Sequence, residues 1–578
     1  MIFLCARRAQ EFELSPTTAI TLRSHVCVRT FALSNREMDA DMARGIDSYQ
    51  HRLQPFAHQA EALARSYRKR SFALFMDPGL GKTKVIIDTA ALLFAAGHIT
   101  GLLIAAPNDV HAQWIDEQLP LHLPTDIATR CVVWSASRMR AQRAARELLS
   151  PLPNRLHVLA MNHEAFATKK GREMARKFLR AHPSLFVLDE SHAFKDPRAL
   201  RTRAVLALRD AAFARRILTG TPTGGVPFDM YSQFAFLDPR ILHYDSFLAF
   251  KHRYGVWTKE HVRVQGKPGE KPRLRQYEAL QEYVNLPELY ARIAPFTATY
   301  TKEQCAQHLP PKLYATLPTH LSDAQRTIYQ QLLDTGLVLL AQAERGGRVS
   351  VAPMEELADE ELLTRLQSPT LRMTMRIKLT LLLRLQQAAA GFVTDDEGHT
   401  RMIDGKWSAC PRMVATVAYV EQALGATGRK VIVWAHYRPA LLALEQALTE
   451  RLGAGAVVRV DGTVTGAERA AIIAAFKGGA TPRVLVAHPR TMGVGQNLGM
   501  ASYAVYYTNA YSLINRTQSE NRIDRLDRAH PCTIVDVVAR DAPCDTEVRA
   551  ALRDKQEFAD TLAKMTTKQF AQRLGTTC

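Results

Sequence analysis

The sequence predicts an α/β fold of two parallel-sheet lobes with helical insertions between them. Three observations carry that prediction. Short apolar runs alternate with helix-length segments up to about residue 240; the alternation stops near Pro239 and resumes at 430; and phosphate-type and acidic motifs sit at the ends of the early runs. At about 150 residues per folding unit, 578 residues accommodate three or four such units.

The runs of the first lobe are "SFALFM" (71–76), "GLLIAA" (101–106), "HVLAM" (157–161), "LFVLDE" (185–190) and "RRILTG" (215–220). Helix-length segments between strands require crossover connections, hence a parallel sheet. The first run leads into "FMDPGLGKTKV" (75–85), where Gly79, Gly81, Lys82 and Thr83 supply the parts of a phosphate-holding turn. Backbone N–H groups and the positive end of the following helix attract phosphate, and the lysine adds a full charge. The strict pattern GxxxxGK[ST] has a glycine where Met76 stands, so the loop alone also reads as a glycine-rich structural turn. The fourth run ends in "LFVLDESHAFKD", which puts Asp189 and Glu190 at the strand edge where open α/β sheets hold ligands. In nucleoside-triphosphatases a carboxylate here holds Mg²⁺ and a neighbouring glutamate orients the attacking water. Asp189 is assigned to the metal and Glu190 to the water; an isolated acidic pair would be a solvated turn, and the upstream loop decides between them.

The middle of the chain, 241–420, is expected to be helical insertion and linker. It includes a basic stretch "TKEHVRVQGKPGEKPRLR" (258–275) and an acidic one "MEELADEELL" (354–363), both read as solvated. The second lobe follows with "KVIVWAH" (430–436), "VVRVDG" (457–462), "RVLVAHP" (483–489), "YAVYYTN" (503–509) and "CTIVDVV" (532–538). Between the last two runs, at about 100° per residue, Gln518, Arg522 and Arg525 share a narrow arc of one helix, whereas Arg516 and Arg528 point elsewhere. A guanidinium is a planar fork of donors suited to phosphate oxygens. The expected division is 1–45 as a disordered N-terminal segment, 46–240 as lobe 1, 241–420 as insertions, 421–545 as lobe 2 and 546–578 as a helical extension.

Net charge is 75 − 56 = +19 in a chain that is 47% apolar, which suits a folded protein that meets a polyanion. Eight scattered cysteines with no CxxC pair argue against a zinc site and a disulfide framework, and point to a reducing, intracellular compartment. The expected setting is the cytoplasm or nucleoid of a bacterial or phage-infected cell, with the nucleus as an alternative. No apolar stretch approaches the roughly 18 residues of a membrane span, so neither a signal peptide nor an anchor is expected.

The motifs "DPGLGKT", "DESH", "LTGTP", "VDGTVTGAERAAIIAAF", "GVGQNL" and "QSENRIDR" occur in one order, and in that order the chain resembles the Swi/Snf-type branch of superfamily-two helicases from about Leu53 to about Lys555. The resemblance implies two RecA-like lobes that close on ATP and Mg²⁺, and movement along double-stranded DNA held mainly by its phosphates. It implies that Gln59 reads the adenine edge, that Gly79, Gly81 and Lys82 hold phosphates, and that Thr83 and Asp189 hold Mg²⁺. It makes Glu190 the water-orienting residue and His192, Thr219 and Thr221 a coupling set beneath the nucleotide. In lobe 2 it makes Gly495 and Asn497 a sensor between DNA and ATP, and turns Gln518, Arg522 and Arg525 toward the nucleotide. The chain departs from the family pattern at Met76, at Asp77-Pro78, at "TGTPTGG", at Gln496 and at "RLDR". Two other classes compete with a duplex-DNA translocase. A strand-separating DNA or RNA helicase needs a wedge, for which the insertion at 241–300 has room. A catalytically inactive nucleic-acid scaffold has no reason to keep Lys82, Glu190 and Arg522 together.

Overall fold

The structure is a computed structural model that describes residues 49–108, 110–223, 226–264, 273–305, 310–344, 369–394, 399–492, 497–509, 513–525 and 528–553, with Gln569, Gln572 and Leu574. The segment 1–45, the acidic stretch 354–363 and most of the extension 546–578 lie outside these residues.

The first lobe opens with helix α1 (Ala57–Ser66), strand β1 (Ser71–Met76) and helix α2 (Lys82–Ala95). Strands β2 (Gly101–Ala106), β3 (Thr129–Val133), β4 (Leu156–Asn162), β5 (Ser184–Asp189) and β6 (Ala214–Thr219) follow. An antiparallel hairpin, β7 (Gly255–Val264) and β8 (Arg273–Tyr283), precedes β9 (Thr297–Tyr300). The seven strands of the lobe run parallel in the order β3-β4-β2-β5-β6-β1-β9. Strands β1, β2 and β5 are buried along their whole length. Helices cover both faces of a parallel sheet, so its central strands are continuous apolar runs, which is what made them legible.

The second lobe begins with β10 (Lys312–Thr319), then a helical pair, α3 (Asp323–Glu344) and α4 (Pro369–Ala389), and a small hairpin, β11 (Phe392–Thr394) with β12 (Thr400–Met402). Helix α5 (Pro411–Thr427) leads into β13 (Lys430–Trp434), β14 (Val457–Val460), helix α6 (Gly466–Gly478), β15 (Val484–Ala487), β16 (Ala501–Tyr506), helix α7 (Leu513–Ile523), β17 (Cys532–Ala539) and helix α8 (Pro543–Arg553). Its six strands are also parallel, in the order β10-β17-β16-β13-β15-β14. Leu333, Leu340, Leu382, Leu385 and Val548 pack α3, α4 and α8 into one apolar cluster. Among the described residues no helix is long and apolar enough to cross a membrane.

Besides the two hairpins, β7–β8 and β11–β12, three strands of the parallel sheets escape the sequence reading, and all three are edges: β3 and β9 of the first sheet, β10 of the second. An edge strand has one neighbour and a wetter face, so it needs no continuous apolar run. Strand β10 alternates exposed and covered residues and carries Pro318, which an edge tolerates. The interval 241–420, expected to be helical, therefore also contains strands of both sheets. The chain passes from one sheet to the other through the short stretch 301–311, and the two ends of the basic stretch 258–275 are strands of the β7–β8 hairpin.

Helix α5 starts with proline at its first position and ends at Gly428, whose φ of +65° suits glycine. Its Arg412 is 1% exposed, pairs with Asp545 at the start of α8, and donates to the Val537 carbonyl at 2.9 Å. The Ala539 N–H donates to the same carboxylate at 3.1 Å. Removing one member of a buried pair leaves the other charge uncompensated, at about 3–5 kcal/mol. Arg412→Ala is therefore expected to destabilise the second lobe by about that much, seen as a lower urea midpoint; an unchanged midpoint would show that Asp545 finds other partners.

Candidate functional site

A cleft of about 450 Å³ lies between the lobes. From the first lobe it is lined by the loop after β1, the first turn of α2, the end of β5 and residues 110–122; from the second by α7, Asn497 and Lys477 at the end of α6. Five cationic side chains (Lys82, Lys84, Lys477, Arg522, Arg525) face three anionic ones (Glu117, Asp189, Glu190), a balance that favours a polyanion.

The loop is built by its glycines. Gly79 and Gly81 have φ of +93° and +84°, and a Cβ on Gly81 would stand 2.2 Å from the Gln59 amide. Gln59 donates from Nε2 to the Leu80 carbonyl at 3.0 Å and accepts the Phe56 N–H at 3.1 Å, the second contact satisfying the N-cap N–H at the start of α1. It backs the loop, with both ends of its amide in use. Lys82, at the first position of α2, is buried and donates to the Met76 carbonyl at 2.7 Å. Burial lowers its pKa, opposed by the charges of Glu190, Asp189 and Asp77. Thr83 follows on the cleft wall. Lys84 is held by Asp88 at 2.9 Å, which also binds the Tyr49 hydroxyl and the His51 ring, each at 3.1 Å.

Asp189 and Glu190 end β5, both 8% exposed. Asp189 accepts the Trp114 indole N–H at 3.0 Å and the Glu190 backbone N–H at 3.0 Å. Burial first, then the neighbouring Glu190 charge, raises its pKa. Burial also acts to raise that of Glu190, but the hydrogen bond and charge of His192, with Lys82 and Thr219, outweigh it and hold Glu190 ionised. His192 Nδ1 lies 3.3 Å from Glu190 Oε2 and 3.2 Å from the Thr219 hydroxyl; that hydroxyl donates to Glu190 at 3.3 Å and accepts the Thr221 N–H at 3.1 Å. Thus His192, Thr219 and Thr221 form a network around Glu190 at the base of the cleft. Glu190 itself has a φ of +46°, rare for a side chain of its size, which turns the chain sharply after the strand.

Across the cleft, α7 presents two different faces. Arg516 pairs with Glu520 at 2.6 Å and Asp536 at 2.6 Å and stacks on Tyr506, while Glu520 also accepts the Tyr314 hydroxyl at 2.9 Å. These contacts fasten the helix to its own sheet. Gln518, Asn521 and Arg522 face the cleft from α7, and Arg525 faces it from just past the helix end at Ile523, so the single helical arc expected from the sequence covers Gln518 and Arg522 but not Arg525. A Cβ on Gly79 would lie 3.7 Å from Arg525 Cδ, so this arginine rests against the loop of the other lobe. Arg522 is 4% exposed with its Nε unsatisfied; burial, and then the like charge of Arg525, brings its pKa down to about 10, so it stays charged at neutral pH. Asn497 lines the cleft and accepts the Gly499 N–H at 2.9 Å. Gly495 lies outside the described residues.

Sequence reasoning missed Trp114, Glu117, Lys84 and Lys477. Trp114 opens a π-helical turn, Trp114–Gln118, inside a helical stretch, a distortion often found at functional sites that leaves no mark in the sequence. The one available signal was a tryptophan shortly after a buried strand, in a chain with five.

Compared with known proteins, residues 49–368 match the SNF2-related domain and residues 415–530 the helicase conserved C-terminal domain. Protein CHROMATIN REMODELING 4 of Arabidopsis thaliana is 22% identical over 84% of this chain and 20% of its own length. The DNA annealing helicase and endonuclease ZRANB3 of Mus musculus is 23% identical over 85% of this chain and 39% of its own. The chain thus spans well under half of these relatives. The Sulfolobus solfataricus SWI2/SNF2 ATPase core in complex with dsDNA aligns with 92% of this chain and 99% of its own at 18% identity, with a TM-score of 0.37.

His163 links this site to stability. It is buried, lies 2.9 Å from the Asp189 carbonyl, and burial lowers its pKa from 6.5 to about 3. A histidine kept neutral in the fold contributes stability above its unfolded pKa that is lost as pH falls through the window from 6.5 toward 3. The slope is about 1.4 kcal/mol per pH unit. Urea midpoints measured from pH 7 to pH 4 are expected to fall less steeply for His163→Gln than for the unmodified chain; equal slopes would show that His163 takes up its proton in the folded state.

Proposed function

Since this chain belongs to the SNF2-related family of helicase-like ATPases, we propose that it is a motor that couples ATP hydrolysis to movement along double-stranded DNA. The observation that carries this reading is the approach of Arg525 and Arg522 from the second lobe to the glycine-lysine loop of the first, across a cleft with a surplus of positive charge.

In this reading Gly79, Gly81 and Lys82 hold the β- and γ-phosphates, and Gln59 sets the loop from behind; to address the base it exchanges one of its two amide contacts, to the Leu80 carbonyl or the Phe56 N–H, for adenine. Magnesium is a hard cation that keeps several waters and takes few carboxylates, so the oxygen donors Thr83 and Asp189 suit it; when bound it neutralises phosphate charge. Glu190 is the ionised group that polarises the attacking water, and the hydrogen bonds of His192 and Thr219 fix its orientation. Arg522 and Arg525, with Gln518 beside them, stabilise the transferring phosphoryl group, a task worth about 10³ to 10⁵ in rate. Thr219, Thr221 and His192 join that chemistry to the core of lobe 1, and Asn497, two positions after Gly495 in the sequence, joins it to lobe 2. Because the arginines and the loop belong to different lobes, hydrolysis depends on closure.

The excess of 19 positive charges supports a polyanionic track gripped through phosphates. Work on DNA implies an intracellular protein. The bacterial or phage-infected setting finds no support in the relatives above, which come from a plant and a mouse. One observation bears on strand separation instead: 241–300, where a wedge was expected to find room, contains an antiparallel hairpin, β7–β8.

Lys82→Ala is expected to abolish ATP hydrolysis in a folded protein. Glu190→Gln should bind ATP and stall before hydrolysis, and Arg522→Ala or Arg525→Ala should lower DNA-stimulated turnover by about 10³ or more while nucleotide binding persists. Steady-state ATPase rates and equilibrium nucleotide binding check all four, and normal turnover in any of them removes its assignment.

The track is tested separately, with blunt duplex, forked duplex, single-stranded DNA and RNA. Blunt duplex is expected to stimulate the ATPase, with affinity falling by about 10³ to 10⁵ between about 50 and 200 mM salt. Stimulation by single strands or RNA alone, or efficient unwinding of plain duplex, would transfer the assignment to a strand-separating helicase.

A further inference from the structure

We propose that Lys302 is a positioning residue that locks the arginine-bearing end of α7 to the head of the phosphate loop. It stands in the stretch 301–311 that joins the two sheets, and it touches both partners at once.

Toward the first lobe the contact is through backbone. The Lys302 N–H donates to Asp77 Oδ2 at 2.9 Å, and the Asp77 N–H donates to the Tyr300 carbonyl at 3.0 Å. Asp77 directly follows β1 and heads the glycine-lysine loop, so these bonds fasten the start of the connector to the loop. Toward the second lobe the contact is through charge. An ammonium has three donors, and the acceptors around Lys302 Nζ all belong to the end of α7: Asn521 Oδ1 at 2.6 Å, Asp524 Oδ2 at 3.0 Å and the Asp524 carbonyl. Lys302 and Asp524 side chains are 11% and 10% exposed, so salt screens this pair little.

Helix α7 ends at Ile523, so helical geometry alone leaves Arg525 undetermined. The device that determines it is Asp524. One carboxylate oxygen takes Lys302, the other takes Arg528 at 3.2 Å, and Arg528 in turn reaches the Pro311 carbonyl of the same connector at 3.2 Å. A residue held from both sides fixes its neighbour, and that neighbour is the arginine resting on Gly79. Loop and arginine are thus registered through one lysine that lines neither.

This inference rests on the reading of the cleft as an ATPase site, and the test separates the two. In Lys302→Met the backbone contact to Asp77 remains and only the ammonium is lost. Charge-assisted hydrogen bonds of this kind are worth about 10- to 100-fold in an equilibrium, and DNA-stimulated kcat should fall by that much with the KM for ATP and the affinity for a non-hydrolysable analogue unchanged. Lys302→Arg should recover part of the loss. Spin labels carried by non-canonical residues at the exposed positions Leu200 and Leu442, one in each lobe, should give a broader distance distribution in Lys302→Met than in the unmodified chain. An unchanged kcat with an unchanged distribution overturns the proposal, and so does a loss of nucleotide affinity equal to the loss of turnover, which would make the lysine a support of the loop alone. If the unmodified chain hydrolyses no ATP, the ATPase reading falls, and the distance distribution alone upholds or overturns the lock.

Discussion

Two adjacent carboxylates, Asp189 and Glu190, are buried together at the end of one strand, and most of the first lobe's polar architecture answers to that constraint. Taking a carboxylate out of water is costly, and placing a second beside it adds repulsion. The surroundings treat the two differently. Asp189 receives only two neutral N–H donors, from Trp114 and from the Glu190 backbone, which favour its charged form but do not offset burial and the Glu190 charge, so its pKa rises. Glu190 receives His192, the Thr219 hydroxyl and the field of Lys82, and stays ionised. Neighbouring groups with pKa values pushed apart can divide two tasks, and in the function proposed above the division is between holding a cation and activating water.

The second lobe supplies what this site lacks, a set of cations on the far wall. Helix α7 can carry them because its two faces have separate duties. Arg516 and Glu520 are consumed by Asp536, Tyr506 and Tyr314, contacts that tie the helix to β16, β17 and the edge strand β10. That leaves Arg522 buried with an unsatisfied Nε and a charge to place. A buried guanidinium without a full set of acceptors is costly in a resting protein and useful in one that closes on phosphate. The same edge strand follows the 301–311 connector, so the path that joins the lobes also sets the helix that faces the loop.

Much of this was legible in the chain. The central strands of both sheets announced themselves as continuous apolar runs because a parallel sheet covered on both faces demands them. The glycine-lysine loop and the acidic pair were legible because their chemistry permits few residue types at fixed spacing. The separation of Arg522 from Arg516 followed from helical angle, whereas Arg525 and Arg528, expected on the same helix, lie beyond its end at Ile523, where the contacts of Asp524 rather than a helical angle place them.

What the sequence left open was decided by partners distant along the chain. Strands β3, β9 and β10 lack apolar runs because an edge is paired on one side only, and no local pattern says which sheet an edge will join. That Trp114 holds Asp189 depends on a π-helical turn with no composition of its own. Gln59, which the family resemblance assigns to the adenine edge, also has both ends of its amide committed to the loop and helix behind it, which shows only once the glycine beside it leaves room for close approach. Lys302 reads in sequence as one more cation among 75 Lys and Arg. Its significance comes from position: two lobes must fold before Asp77 and Asp524 stand on either side of it. Spacing along the chain determined which chemistry was available, whereas the burial and electrostatics that assign it to particular atoms exist only after distant segments have packed.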